Sequence, residues 1–306
     1  MRQNGMRQNF CAVMAAFIWG TAFVAQSMGA EHVDAFTYST SRFFVGFLAL
    51  LAICVFLRRT RKEEAAKRSG PAYWKTLLIG GFWCGLAMAA GSNLQQKGIE
   101  TTSPGKAGFI TALYIVIVPI IGIFLRRRAS WTVWFSVALA VVGLYFLCIQ
   151  EDVLSIAEGD FLIILCAFCF AGQILLIDHF AMQVDGIELS CAQLFFVMLF
   201  SAVGMVFYGE SSWQDIQMAA GSILYVGIFS SAGAYTLQIL AQKDSNPTVI
   251  SLLLSLESVF ATLSGAVILH TQMTGREYLG CVLMLAAVIL AQIPVPSLKK
   301  RPLKNA

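Results

Sequence analysis

Apolar residues gather into ten long stretches along the chain, divided by short polar connections. A bilayer core about 30 Å thick takes roughly 20 mostly apolar residues per helix. Stretches of that size run from Phe10 to Met28, Phe36 to Phe56, Tyr73 to Gln95, Ala107 to Leu125 and Trp131 to Ile149. A second series runs from Phe161 to Phe180, Leu189 to Tyr208, Ser222 to Gln242, Pro247 to His270 and Tyr278 to Ile293. The pattern predicts an all-α polytopic membrane protein with ten transmembrane helices. Only two connections are long, the basic one from Arg58 to Lys75 and the acidic one from Gln150 to Asp160. Neither can form a soluble catalytic domain, so specific chemistry must come from groups within the helices.

The two series repeat each other. Moved by 151 positions without a gap, the segment from Phe10 to Val45 falls on Phe161 to Phe196, and Phe10, Ala16, Phe17, Ala30, Val33, Asp34, Ser39 and Phe44 meet identical residues. The predicted units are a first five-helix repeat over 10–149 and a second over 160–294. An odd number of spans per unit turns the second upside down relative to the first. Inverted repeats of this kind build secondary transporters, with a substrate site near the midplane where the halves meet.

Composition agrees: 58% of the 306 residues are hydrophobic, 12% are charged, and the mean hydropathy is +0.74. The placement of charge says more than its net value of +4. With a cytoplasmic N-terminus, the inside connections carry Arg2, Arg7, the Arg58 to Lys75 cluster, Arg126 to Arg128, Lys243 and the tail Lys299, Lys300, Arg301 and Lys304. Outside connections carry only Lys97, Lys106 and Arg276. The positive-inside rule therefore predicts a multi-pass protein of the cytoplasmic membrane with both termini in the cytoplasm. The first apolar stretch pairs with the sixth in the repeat, which argues for a retained span and against a cleaved leader. All eight cysteines lie in apolar stretches, Cys166 and Cys169 in a C-x-x-C, and they read as packing residues.

Polar side chains inside the stretches are the candidate site, because they are costly in hydrocarbon. Ser231, Tyr235, Gln238 and Gln242 share one helical stripe in the eighth span. Trp19 and Gln26 share a face of the first, Asn93 and Gln96 lie three apart at the end of the third, and the fourth carries Thr111 and Tyr114. In the sixth, Gln173 follows Phe170, the repeat partner of Trp19. Singly, each is explained by an interhelical hydrogen bond worth about 0.6 to 2 kcal/mol. Together they predict a shared cavity with aromatic walls, sized for an organic molecule. The expected substrate-binding residues are Trp19, Gln26, Asn93, Gln96, Tyr114, Gln173, Tyr235, Gln238 and Glu257. Glu257, near the middle of the ninth span, is also the candidate proton-coupling group; the alternative is a carboxyl bonded to a neighbouring helix. Arg42 in the second span is expected to snorkel to the headgroups or to balance an anion. Pro119 is expected to bend the fourth span and free a carbonyl. Ser251, Ser255, Ser258 and Thr262 are expected to pack helices.

The chain resembles the drug/metabolite transporter superfamily, in its EamA type. The similar stretches are Phe17-Ile-Trp-Gly-Thr, Arg42-Phe-Phe, Thr101-Thr-Ser-Pro-Gly-Lys-Ala and Leu253-Leu-Ser-Leu-Glu-Ser-Val-Phe-Ala, with Gly280 in the tenth span. The resemblance implies ten helices, a central cavity bordered by Trp19, Tyr114 and Glu257, and transport of amino acids or other small metabolites, often as export. The chain departs from the family pattern at Arg127, Ser136, Ser258 and Thr271.

The expected function is secondary transport of a small organic metabolite, an amino acid or similar, outward across the cytoplasmic membrane by alternating access. A flippase for a lipid-linked substrate is the alternative. An enzyme is not expected, since His32, His179 and His270 all stand at span ends without a nucleophile beside them. The expected partners are the small-molecule substrate and the lipid bilayer, with no nucleic acid, no cofactor and no metal. Monomer and homodimer both stay open.

Overall fold

Each apolar stretch forms a helix or a short series of helices. The computed structural model describes residues 2–101, 104–125, 130–148, 158–268 and 273–293. Arg127, His270, Thr271 and the basic tail lie outside the described residues. The first span is α1 (Arg2–Ala30), the second α2 (Ala35–Thr60), and a short α3 (Lys62–Lys67) precedes the third, α4 (Pro71–Ile99). The fourth span is divided into α5 (Pro104–Ala112) and α6 (Tyr114–Phe124), and the fifth is α7 (Trp131–Cys148). In the second half, α8 (Glu158–Phe180) and α9 (Gly186–Tyr208) are followed by the short α10 (Trp213–Met218). The eighth span joins α11 (Ala220–Tyr225), a π-helical stretch (Val226–Ala234) and α12 (Tyr235–Gln242). The ninth is divided into α13 (Pro247–Leu254) and α14 (Glu257–Ile268), and the tenth is α15 (Gly275–Ala291).

Eight of these spans are long and apolar enough to cross a membrane. The fifth and tenth, 18 and 17 residues long, are shorter. They lie against each other, and small residues set how closely. A Cβ on Gly280 would come within 2.6 Å of the Leu147 amide nitrogen, and one on Gly143 within 2.9 Å of the Met284 nitrogen. The small residues of α4 work in the same way: a Cβ on Gly81 or Gly85 would meet Ala192 or Phe196 of α9 at 2.6 Å.

Packing pairs one half with the other far more than it joins neighbours within a half. Helix α4 lies on α8 and α9, as the eighth span lies on α1 and α2. Helices α5 and α6 lie on α8, as α14 and α13 lie on α1; α2 lies on α9 and α7 on α15. Every such contact has its counterpart when the halves are exchanged.

Three spans are interrupted, and the interruptions shape the centre of the bundle. In the fourth, the α-helical ladder breaks at Leu113, whose amide bonds Ile110 O at 3.2 Å, while Val116 bonds Leu113 O at 2.9 Å. In the ninth, Leu256 bonds Leu253 O at 3.3 Å and Ser258 bonds Ser255 O at 3.2 Å. Both are 3₁₀-type bonds, tighter than the helix around them. The break in the fourth span is therefore not at Pro119, which sits inside α6. In the ninth span the serines turn back on their own backbone: Ser251 Oγ donates to Thr248 O at 2.9 Å and Ser255 Oγ to Leu252 O at 2.8 Å. Such back-bonding competes with the ladder and bends helices.

A cavity built from both halves

The interruptions occupy equivalent places in the two halves. Pro104 and Pro247 begin α5 and α13, and Tyr114 and Glu257 begin α6 and α14, in each case 143 positions apart. Tyr114 and Glu257 meet: the phenol donates to Glu257 Oε1 at 3.2 Å, in a fully buried contact. As the first residue of α14, Glu257 also places its carboxylate at the positive end of that helix.

Around this contact lies a cavity with fifteen lining residues. Ten of these form repeat pairs, so the cavity is a product of the duplication. Trp19 pairs with Phe170 and Phe23 with Ile174, at the offset of the first spans. Gln95 with Gln238, Thr111 with Leu254 and Tyr114 with Glu257 follow at the offset of the later ones. The two offsets differ because α2 and α4, 26 and 29 residues long, are longer than their counterparts α9 and the eighth span, 23 residues each.

Neutral polar groups cover much of the wall. Gln238 Nε2 donates to Gln173 Oε1 at 3.1 Å, and Gln173 Nε2 to Gln193 Oε1 at 3.3 Å. Gln95 Nε2 donates to Thr111 Oγ1 at 3.1 Å. Trp19 and Tyr235 meet edge to face, with ring centroids 4.9 Å apart. The Trp19 indole N–H is buried without a partner and remains free as a donor.

Two charges break the repeat symmetry. Arg42 is 2% exposed and Glu257 6%. Arg42 Nη1 donates to Gln26 Oε1 at 2.7 Å, and its guanidinium lies 4.5 Å from the centroid of the Phe43 ring. Their repeat counterparts are neutral, Gln193 for Arg42 and Tyr114 for Glu257. Among the described residues neither charge forms an ion pair. Tyr235 lines the same cavity and interacts electrostatically with both.

Seven of the expected site residues line this cavity: Trp19, Gln26, Tyr114, Gln173, Tyr235, Gln238 and Glu257. Asn93 and Gln96 do not. Asn93 Nδ2 donates to Ser201 Oγ at 2.9 Å, and its side chain borders a separate groove with Phe36, Lys97 and Phe200. Gln96 is buried beside the cavity, and the third span presents Gln95 instead. One residue is a turn of about 100° around a helix, so Gln95 and Gln96 face different surroundings. Arg42 does not snorkel; Gln26 and Phe43 hold it inside the bundle. In the eighth span the expected stripe holds for Tyr235 and Gln238, while Gln242 donates to Ile174 O at 2.8 Å outside the cavity wall. The π-helical stretch shifts the register, so Ser230 rather than Ser231 reaches the wall.

A helical bundle whose halves converge on a polar, aromatic-walled cavity is the architecture of a membrane carrier. Residues 6–149 and 157–292 each match the model of the EamA-like transporter family, and the chain belongs to that family. An uncharacterized transporter of Archaeoglobus fulgidus is 29% identical over 92% of this chain and 84% of its own. The threonine/homoserine exporter RhtA of Escherichia coli K12 is 27% identical over 90% of this chain and 87% of its own. A solved protein crystal structure shares the fold with a TM-score of 0.76 and 16% identity, covering 93% of this chain and 96% of that one.

Proposed function

We propose that the protein exports a small polar amino acid across the cytoplasmic membrane. The observation that carries this reading is the convergence of repeat-related residues from both halves on one buried polar cavity. The similarity to a threonine/homoserine exporter supports an amino acid of that size. The halves are inverted repeats, 10–149 and 160–294, that rock about the cavity to open it to one side and then the other. The end of the bundle at Asp185 faces the cytoplasm, together with both termini.

Substrate meets Trp19, Gln26, Tyr114, Gln173, Tyr235, Gln238 and Glu257. Glu257 couples the cycle to protons: a carboxylate that holds either a proton or a substrate cation, but not both, exchanges one for the other. Tyr114, Tyr235 and Arg42 are the ionisable groups that face it across the cavity. A flippase would require the cavity to open sideways to lipid. The lateral groove beside Asn93 shares no lining residue with it.

The test compares metabolites in the medium of cells that overproduce the wild type with those of cells that overproduce Glu257→Gln at equal membrane levels. Threonine, homoserine or another small amino acid should accumulate outside only with the wild type. In vesicles, its transport should respond to a pH gradient. Export by Glu257→Gln at the wild-type rate, indifferent to pH, would remove the coupling role. An excreted compound of another class would remove the substrate class.

A further inference from the structure

The repeat predicts a symmetrical cavity, and two opposite buried charges make it polar. Resting on the amino-acid reading above, we infer that Arg42 and Glu257 form a two-point clamp for a zwitterion. The guanidinium takes the substrate's carboxylate and the Glu257 carboxylate takes its ammonium group. The substrate class is then α-amino acids with both groups free, rather than amines, organic acids or capped derivatives.

The geometry of each charge carries this assignment. Arg42 offers five N–H donors, of which Gln26 takes one, and its Nε is buried without a partner. No carboxylate among the described residues pairs with it. Glu257 accepts from Tyr114 and, among the described residues, forms no ion pair. Burying a charge is expensive unless it is paired and hydrogen-bonded, yet the fold keeps a guanidinium and an ionisable carboxyl, unpaired with each other, on different spans of one cavity. They form no ion pair with each other, and both act electrostatically on Tyr235. A zwitterion satisfies both charges at once. A simple amine would leave Arg42 uncompensated, and a simple carboxylate would leave Glu257 so.

The remaining wall suits the substrate's side chain. Gln173, Gln238, Gln95 and Thr111 present neutral donors and acceptors, and Trp19 an unpaired N–H. Arg42→Gln places at this site the residue found at its repeat counterpart, Gln193, which is fully buried in the same bundle. The variant is therefore a shape the fold already accommodates.

The experiment uses the purified full chain in detergent and follows the binding of labelled threonine, which needs no turnover. Unlabelled threonine, threoninamide and N-acetylthreonine compete with it. Threoninamide lacks the carboxylate, and N-acetylthreonine lacks the ammonium group. A lost hydrogen bond to a buried charge predicts that each analogue competes roughly ten- to a hundredfold less well than threonine in the wild type. Arg42→Gln should abolish the penalty for threoninamide alone, and Glu257→Gln the penalty for N-acetylthreonine alone. Arg42→Lys should retain the preference for a free carboxylate. These are ratios within one preparation, so they do not depend on how much variant is recovered.

If the wild type binds threonine but both analogues compete equally with it, the clamp is overturned and the amino-acid reading stands. Penalties that Arg42→Gln and Glu257→Gln leave in place overturn the assignment of the two ends. Failure to bind either threonine or homoserine removes the amino-acid reading, and the clamp with it.

Discussion

Asp34 and Asp185 occupy the same position in the two repeats, yet they fasten opposite ends of the bundle by different chemistry. Each caps the helix that follows it: Asp34 Oδ1 accepts from the Phe36 and Thr37 amides, and Asp185 Oδ1 from those of Ile187 and Glu188. Each also reaches the other half. Asp34 Oδ2 accepts from the Ser211 hydroxyl at 2.7 Å and from the Glu210 and Ser211 amides at 3.2 Å. Asp185 Oδ2 accepts from Arg68 Nη1 at 2.6 Å. Beside it, Arg58 grips Glu188 with two bonds of 2.9 Å, and the Tyr73 hydroxyl donates to the same carboxylate at 2.5 Å.

The Asp34 end is thus held by hydroxyls and backbone dipoles, extended by the Tyr38 and Ser222 hydroxyls 2.6 Å apart and those of Thr21 and Tyr225 at 2.6 Å. The Asp185 end is held by ion pairs. Both fasteners join the two halves, so a carrier in which the halves rock must loosen one end to open it and keep the other. Hydrogen bonds from uncharged donors to one carboxylate depend on tight fit and respond less to ionic strength than ion pairs do. Partly exposed ion pairs tolerate looser geometry and weaken with salt. Opening the two ends should therefore respond to different conditions.

The largest effect is expected from Asp34→Ala, which removes the acceptor of four amides and one hydroxyl at once. Loss of a helix cap and of charge-assisted bonds predicts destabilisation of about 2 to 4 kcal/mol. Thermal unfolding in detergent measures it, and Asp34→Asn should recover part by keeping the cap acceptor. The wild-type carboxylate also sets an acid limit. Burial pushes the Asp34 carboxyl up, but the Thr37 amide, the Ser211 hydroxyl and the Glu210 amide outweigh it and hold it down at about 2. A carboxyl whose folded value lies below its unfolded value, about 3.9, contributes stability that is complete above that unfolded value. The contribution is lost as pH falls towards 2, so the Asp34 end should stay fastened at pH 5. A loss of stability between pH 7 and 5 that disappears in Asp34→Asn would contradict this.

A smaller loss is expected from Glu188→Gln. The change leaves Arg58 without a bidentate partner and Tyr73 with a weaker acceptor. Because the Arg58 side chain is 28% exposed, water recovers part of the interaction. About 1 to 2 kcal/mol is expected. The functional readout is the labelling rate of Cys54, which lies beside Arg58 and Glu188 in a pocket at this end. Glu188→Gln should raise that rate, and Asp34→Ala should not.

Both aspartates could be read in the sequence as matched turn residues, and the ten spans could be read from apolar length alone. The partners of the aspartates could not, because Ser211 and Arg68 lie in connections without periodicity. Within the site, the spans that bear polar residues were legible, while the faces were legible only where the helix is regular. Tyr235 and Gln238 lie in regular α-helix, and both reach the cavity wall. Ser231 lies in the π-helical stretch, where bonding from i to i+5 invalidates a count based on 3.6 residues per turn. Arg42 misled for a different reason. Its depth of a few residues permits snorkelling, and only the Gln26 acceptor and the Phe43 ring, both supplied by the fold, turn it inward. The equivalence of the helix breaks at Leu113 and Leu256 left no mark in hydropathy, since a leucine stands at both and each lies inside one continuous apolar stretch.

The smallest effect separates the two ends most cleanly. Arg68 and Asp185 are 38% and 23% exposed, and Asp185 keeps its capping role without the arginine. Arg68→Ala should therefore cost only about 0.2 to 1 kcal/mol at low ionic strength. At about 1 M salt the screening length falls to roughly 3 Å, so the variant and the wild type should then unfold together. The same salt should raise Cys54 labelling in the wild type, while leaving the destabilisation by Asp34→Ala unchanged. If salt reduces the effect of Asp34→Ala as much as that of Arg68→Ala, the two ends are not held by different forces. The asymmetry between Asp34 and Asp185 would then be one of partners only.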